Sequence, residues 1–243
     1  MHAGCGGFYD DPADPAEGQL MQRALKFLLD RLLALLSLII LSPVFLIAAI
    51  GIKCSSPGPI IYKAQRMGKN MQPMVIYKFR SMHVGMENQG AITGRRDPRV
   101  FAFGSFLRKT KIDELPQLLN ILFGSMSIIG PRPEDIDIVR RYYTDEEKRT
   151  LDVLPGLACP GSIFNYTHGD LYLTDEGTDE AYVNRFLHVK LALDLYYIDH
   201  WSLGYDISII FRTLAAIFHT AVSDKQMPPP LEYRAVFGQR PIP

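Results

Sequence analysis

The sharpest break in the polar and apolar pattern is Leu32–Ile52, LLALLSLIILSPVFLIAAIGI, a stretch without a single charge. A helix that crosses a bilayer needs about 20 apolar residues, so the run is long enough. Its flanks do not suit a simple crossing. Arg23, Lys26 and Arg31 precede it, and Lys53, Lys63 and Arg66 follow it. Positive charge collects on the cytoplasmic side, so a crossing helix shows asymmetry, whereas here both ends ask for the same side. Pro43 removes a backbone donor and kinks the helix, and Ser42 can recap the carbonyls it frees. The pattern predicts a re-entrant membrane helix over residues 23–53 that enters one leaflet and returns. A Pro-kinked spanning helix is the alternative.

Beyond the run, Ser55-Ser56-Pro57-Gly58-Pro59 is a cluster of helix breakers. Two β-rich segments, Ile60–Lys63 and Met74–Phe79, flank a turn at Gly68, Lys69 and Asn70 and predict a hairpin. Alternation along its second strand sends Lys78 and Arg80 to one face and Phe79 to the other. Met82–Thr93 reads as a mobile loop. Asp113–Gly124 reads as a helix, with Asp113 and Glu114 in the first turn and Gly124 at the end. Gly130–Glu134 reads as a rigid turn, Glu134–Leu151 as a charged, solvated helix, residues 155–180 as loop, and Val183–Ile198 as an amphipathic helix. Ile207–Val222 is apolar but carries Arg212 and His219. It lies along a membrane interface, with Trp201, Tyr196 and Tyr197 as headgroup-level anchors, or it is a plain core helix. The fold class is mainly α with a small β-hairpin (α+β), with the kinked re-entrant helix and interfacial amphipathic helices added.

Charge narrows the partners. In 243 residues, 26 Lys and Arg balance 26 Asp and Glu. No global basic field recruits nucleic acid. Asp10, Asp11, Asp14 and Glu17 stand among Pro12 and Pro15, so residues 1–22 are expected to be disordered. That segment lacks the features of a cleaved signal peptide, so the apolar run is expected to persist in the mature protein. Cys5, Cys54 and Cys159 are odd in number and have no metal-ligand spacing. A reducing, cytosol-facing domain over 54–222 fits, followed by a Pro-rich tail over 223–243. No P-loop, HExxH or Gly-x-Ser-x-Gly elbow is present.

The candidate chemistry centres on Asp113-Glu114, beside Arg108, Lys109 and Lys111. A helix start favours the ionised form of both carboxylates. An ionised aspartate can attack phosphorus while its neighbour holds Mg²⁺. Arginines would hold the phosphate oxygens and stabilise the departing charge. The same pair is also ordinary capping chemistry. Arg132 stands between Pro131 and Pro133, which preset the backbone and present the guanidinium at small ordering cost. Lys78 and Arg80 suit either a phosphate or a lipid headgroup.

Taken in order, these stretches resemble the bacterial sugar transferase family, the monotopic phosphoglycosyl transferases that begin glycan assembly on polyprenyl phosphate. The resembling segments are Lys26-Phe27-Leu28-Leu29-Asp30-Arg31, the apolar run with Ser42-Pro43, and Ser56-Pro57-Gly58-Pro59. Tyr77-Lys78-Phe79-Arg80-Ser81-Met82, Asp97-Pro98-Arg99-Val100 and Leu107-Arg108-Lys109-Thr110 follow. Asp113-Glu114-Leu115-Pro116-Gln117-Leu118 and Ser125 through Pro133 complete the core. The resemblance implies that Asp113 is the nucleophile toward the sugar-linked phosphorus of a UDP-sugar. UMP leaves, and undecaprenyl phosphate then takes the phosphosugar from Asp113. It also implies Mg²⁺ at Glu114 and nucleotide or phosphate contact by Arg132 with Pro131 and Pro133. Arg80 and Arg108 become phosphate binders, and Ser42-Pro43 the re-entrant break. The expected place is the cytoplasmic face of a bacterial inner membrane, among membrane lipids, with a homodimer left open.

Two departures stand out. Phe101-Ala102-Phe103 replaces an expected threonine-bearing segment, and Leu157-Ala158-Cys159-Pro160-Gly161 replaces the usual Thr-Gly continuation. They leave the donor sugar open. A membrane-anchored scaffold without catalysis, and a hydrolase that resolves the aspartyl phosphate with water, are the rival readings.

Overall fold

The computed structural model describes residues 17–86, 97–169, 182–223 and 226–239. Helices α1 (Glu17–Ile40) and α2 (Ser42–Ser55) meet at Leu41 and bend by 61°. Among the described residues no single helix is long and apolar enough to cross a membrane, but this bent pair passes by length and composition. Pro43 sits in the first turn of α2, where its missing N–H has no intrahelical partner to lose. The N-cap of α2 is Leu41, without a side-chain capping bond, and Ser42 is the first residue of the helix. Residues 17–22, expected to be disordered, start α1, because no proline follows Pro15 before the apolar run.

The inward faces of the pair are narrow. Ala34 of α1 packs on Leu118, Ile121 and Met126, and Ala48 and Ile52 of α2 pack on Phe79, Phe101 and Leu107. The outward faces leave Leu32, Leu36, Ile39, Ile40, Ile47 and Ile50 exposed. Polar bonds tether α1 to the rest of the fold. Ser127 Oγ donates to the buried Asp30 at 2.6 Å, and Lys26 pairs with Asp206 at 2.6 Å.

The hairpin forms as expected and runs longer. Strands β1 (Ile61–Met67) and β2 (Pro73–Phe79) pair antiparallel, with Ile61 opposite Phe79. The turn between them is a 3-10 segment, Lys69–Met71, in which Asn70 takes φ 55°. Most of the Met82–Thr93 loop lies outside the described residues. Helix α3 (Ala102–Lys109) then leads to the expected 113–124 helix, which is divided. A 3-10 turn, Ile112–Glu114, precedes α4 (Gln117–Leu122), because Pro116 at the N-cap cannot donate to continue one ladder. Gly124 closes α4 at φ 89°. Asn120 holds α4 beside the sheet: its Oδ1 accepts the Tyr77 N–H at 3.0 Å and its Nδ2 donates to the Val75 carbonyl at 2.7 Å.

Two further expectations fail in the middle of the chain. Glu134–Leu151 is not one solvated helix but α5 (Ile136–Tyr142) and a 3-10 turn, Glu147–Leu151. Thr144 and Glu147 form a reciprocal capping box, which restarts the chain at that point. Val139 and Tyr143 are buried rather than solvated. Within 155–180, strand β4 (Gly156–Ala158) pairs in parallel with β3 (Ser127–Ile129), and α6 (Pro160–His168) follows. Pro160-Gly161 is a helix start, with proline in the first turn. Residues 170–181 lie outside the described residues.

Helices α7 (His188–Asp199), α8 (Leu203–Val222) and α9 (Leu231–Phe237) complete the fold, with a π-helical turn, Tyr182–Leu187, ahead of α7. Helix α6 is enclosed on several sides, through Phe164 against Phe186, Leu193 and Tyr233, and through Ile163 against Tyr197 and Ile209. The core reading of Ile207–Val222 holds for one face only, and Tyr197, expected as a headgroup-level anchor, is buried. Ile209 and Ala216 are buried, while Ile207, Phe211, Leu214 and Phe218 are exposed. The Pro-rich tail contains α9, docked by Tyr233 and by a two-pronged Arg212–Glu232 pair at 2.6 Å.

Candidate active site

The turn carrying Asp113 and Glu114 is entered from Lys111, whose φ of 59° lies in the left-handed region. The chain reverses sharply there, and Pro116 stops the turn from lengthening. Two adjacent carboxylates are thereby held under β2 and α3.

Arg132 is delivered from the opposite side. The Pro131 carbonyl accepts the Gly156 N–H at 2.9 Å, and the Glu134 carbonyl accepts the Met67 N–H at 2.9 Å. The Pro-Arg-Pro turn is thus stapled to β4 and to β1. The close approach requires glycine: a Cβ on Gly156 would lie 2.2 Å from the Gly130 nitrogen. Arg132 then grips Glu114 with both prongs, Nη1 to Oε2 at 2.9 Å and Nη2 to Oε1 at 2.5 Å. Lys78 Nζ stands 3.6 Å from Glu114 Oε1.

The two carboxylates differ in state. Burial by itself would raise Glu114, but Arg132, Lys78 and Lys111 outweigh it and hold the group well below the usual carboxylate range. Asp113 moves the other way. Burial, and then the charge of Glu114, push it up, and Lys78, Lys111 and Arg108 offset only part. Its Oδ1 is buried and has no hydrogen-bond partner. Burial lowers Lys78 to about 8 despite the pull of Glu114, and lowers Lys111 as well. The Lys111 ammonium sits over the Tyr166 ring, 4.2 Å from its centroid. Burial and Glu114 push the Tyr166 phenol up, so it stays neutral.

A cleft of about 590 Å³ opens over this turn. Seven Lys or Arg side chains line it against four Asp or Glu, an excess of positive charge that suits phosphate groups. The expected residues do converge here, with different roles. Arg108 lines the cleft. Arg80 lines it too, but its guanidinium bonds Pro59 O at 2.6 Å, Ser56 Oγ at 2.9 Å and Ser56 O at 2.7 Å, so it anchors the Ser56–Pro59 loop. Pro131 acts through its carbonyl, and Pro133 lines a smaller cavity beside the cleft. Ser42 and Pro43 belong to the α1–α2 bend. Asn165 and Tyr166 are not among the expected residues, because the prolines and glycines of 155–180 resemble a loop; the signal for α6 is a proline in the first turn followed by apolar residues at helical spacing.

Among the described residues no group of three or more His, Cys, Asp or Glu could enclose a metal ion. The paired carboxylates nevertheless fit an ion that keeps most of its waters and takes phosphate oxygens, as Mg²⁺ does. Asp113 Oδ1, buried and without a hydrogen-bond partner, keeps its lone pairs unused. Each Glu114 oxygen keeps a second lone pair beside its bond to Arg132.

A model of the family described as bacterial sugar transferase matches residues 21–220. The UDP-glucose:undecaprenyl-phosphate glucose-1-phosphate transferase of Escherichia coli K12 is 38% identical over 198 residues, which cover 80% of this chain and 40% of that protein. The UDP-N-acetylgalactosamine-undecaprenyl-phosphate N-acetylgalactosaminephosphotransferase of Aeromonas hydrophila is 36% identical over 78% of this chain and 42% of its own. An exopolysaccharide production protein of Rhizobium leguminosarum bv. phaseoli is 34% identical over 81% of this chain and 96% of its own. The chain thus spans about two fifths of the first two relatives and nearly all of the third.

Proposed function

The chain belongs to the bacterial sugar transferase family, and from this premise we propose that it moves a sugar 1-phosphate from a UDP-sugar to undecaprenyl phosphate. The observation that carries the reading is the buried, unpartnered Oδ1 of Asp113 inside a cation-rich cleft, beside a Glu114 already neutralised by Arg132. Such an oxygen has no structural duty.

Asp113 attacks the sugar-linked phosphorus. An Asp113 O–P bond forms, the P–O bond to UMP breaks, and UMP departs with the electron pair. An oxygen of undecaprenyl phosphate then attacks the same phosphorus, the Asp113–P bond breaks, and the carboxylate is regenerated. The product is undecaprenyl diphosphate sugar, and the scheme is ping-pong. Arg132, Lys78, Lys111 and Arg108 stabilise charge on the transferring and departing phosphates. Mg²⁺ held by Glu114 and by the orphaned oxygen of Asp113 would neutralise the diphosphate and lessen its repulsion of an anionic nucleophile. Arg132 keeps Glu114 ionised and in place, and the stapled Pro-Arg-Pro turn keeps Arg132 in place.

Both substrates must meet at a lipid surface. The exposed apolar faces of α1 and α2 and the Ile207, Phe211, Leu214 and Phe218 stripe of α8 support a monotopic seat on the cytoplasmic face of an inner membrane, with the 61° bend as the re-entrant turn.

The test is UMP release from a panel of UDP-sugars by the full chain in detergent or nanodiscs, with Mg²⁺ and with or without undecaprenyl phosphate. Turnover that requires the lipid phosphate is expected. Release of free sugar phosphate without lipid would favour the hydrolase instead.

A further inference from the structure

Beside the main cleft lies a second cavity of about 210 Å³, which shares Arg66, Lys78, Arg108, Arg132 and Asn165 with it. Its own walls include Gln117, Glu134, Tyr182, Phe186 and Lys190. The charges on that wall are already matched. Lys190 is 2% exposed, and its Nζ donates to Glu134 Oε2 at 2.5 Å and to the Tyr182 hydroxyl at 2.8 Å. Tyr182 in turn donates to the same carboxylate oxygen at 2.5 Å. A wall so neutralised suits a neutral, polar group.

Gln117 is the exception. It is 1% exposed, and its Nε2 is buried with no hydrogen-bond partner. An amide donor left unmatched in the interior is costly, and an oxygen brought by a ligand would relieve it. Tyr182 and Phe186 add apolar surface beside it. The combination of an amide donor, a carboxylate and aromatic surface suits a polyhydroxylated ring, set beside the cations that the cavity shares with the main cleft.

Position decides which part of the donor this is. Gln117 opens α4 directly after the turn that carries Asp113. The phosphorus attacked by Asp113 is one oxygen away from the sugar, whereas the uridine lies a whole phosphate further off. We propose that the second cavity receives the donor's sugar, with the Gln117 amide donating to a hydroxyl or acyl oxygen of the ring and the Glu134–Tyr182–Lys190 cluster framing it. Gln117 is then a specificity-determining residue. The inference rests on the sugar-phosphate transfer proposed above.

The test compares wild type with Gln117→Met, a substitution of similar length without a donor. It measures kcat/KM of UMP release across UDP-sugars and inhibition by UMP. Loss of one donor to a substrate oxygen is expected to lower kcat/KM for the best sugar about tenfold and to shrink its lead over other sugars by a similar factor. Inhibition by UMP is expected to stay within about twofold of wild type, since UMP carries no sugar to lose. Weakening of UMP by the same factor would assign the cavity to the nucleoside and overturn the proposal, as would an unchanged kcat/KM and ranking. If Gln117→Met fails to fold, Tyr182→Phe serves: altered sugar ranking with unaltered UMP inhibition supports the proposal, and an unaltered ranking rejects it. Wild type that releases no UMP from any donor would instead overturn the transfer reading itself, and the cavity assignment with it.

Discussion

Two clusters of buried charge flank the Pro-Arg-Pro turn, and they are finished differently. Glu134, Tyr182 and Lys190 are closed: each polar head group finds another, and Lys190, pulled upward by Glu134, stays charged against its burial. Asp113, Glu114, Lys78 and Arg132 are not closed. Glu114 is satisfied twice over by Arg132, while Asp113 keeps an oxygen with no partner. Burying charge costs several kcal/mol per ion unless it is paired. A fold tolerates the first arrangement for its own sake. The second lines a cleft large enough to admit a ligand.

The strongest way to break the comparison is Asp113→Asn. If the orphaned carboxylate is the nucleophile, UMP release falls by at least about a thousandfold. The melting temperature stays within a few degrees, because no bond of the fold is lost at Oδ1. A mutant that is both unstable and partly active would make Asp113 a scaffold residue. The opposite profile is expected of the closed cluster. Lys190→Met leaves Glu134 buried without its main partner and costs about 3–5 kcal/mol of stability, read in thermal or denaturant melts. The double variant Glu134→Gln with Lys190→Met recovers part of that loss, which a melt of the pair would show as non-additivity.

Arg132→Lys sharpens the comparison at smaller amplitude. A two-pronged grip becomes a point contact, and kcat/KM falls about a hundredfold while the fold is kept. The smallest effect is read from pH. Lys78 is lowered to about 8, so kcat/KM declines as pH rises through that value, and Lys78→Arg moves the decline to higher pH. Stability follows the opposite sign. Between pH of about 8 and the ordinary lysine value of 10.5, the unfolded chain holds a proton that the folded chain has shed. Lys78 alone therefore makes the fold more stable as pH rises through that window. A flat activity profile up to pH 10 would remove Lys78 from the charge balance of the cleft.

Legibility followed the range of the interactions. The hairpin between Ile61 and Phe79, the bend at Leu41 and the Pro131-Arg132-Pro133 turn were readable because apolar spacing and proline act within a few residues. Glu134–Leu151 misled because its charges look solvated, whereas Glu134 is neutralised by Lys190, 56 residues away. The Thr144–Glu147 capping box was a local signal that could have divided it. Residues 155–169 misled for another reason: their prolines and glycines resemble turns, but Gly156 is small for close contact with Gly130, and Pro160 starts a helix.

By itself the sequence determined the family, the proline-broken apolar run and the paired carboxylates, because each is carried by residue type and short spacing along the chain. Only the tertiary structure decided which carboxylate is clamped and which is left open. That distinction depends on Arg132 reaching back 18 residues to Glu114, on Lys78 arriving from the hairpin, and on burial that removes water from both. Burial and long-range pairing are properties of the packed chain, and no local pattern encodes them.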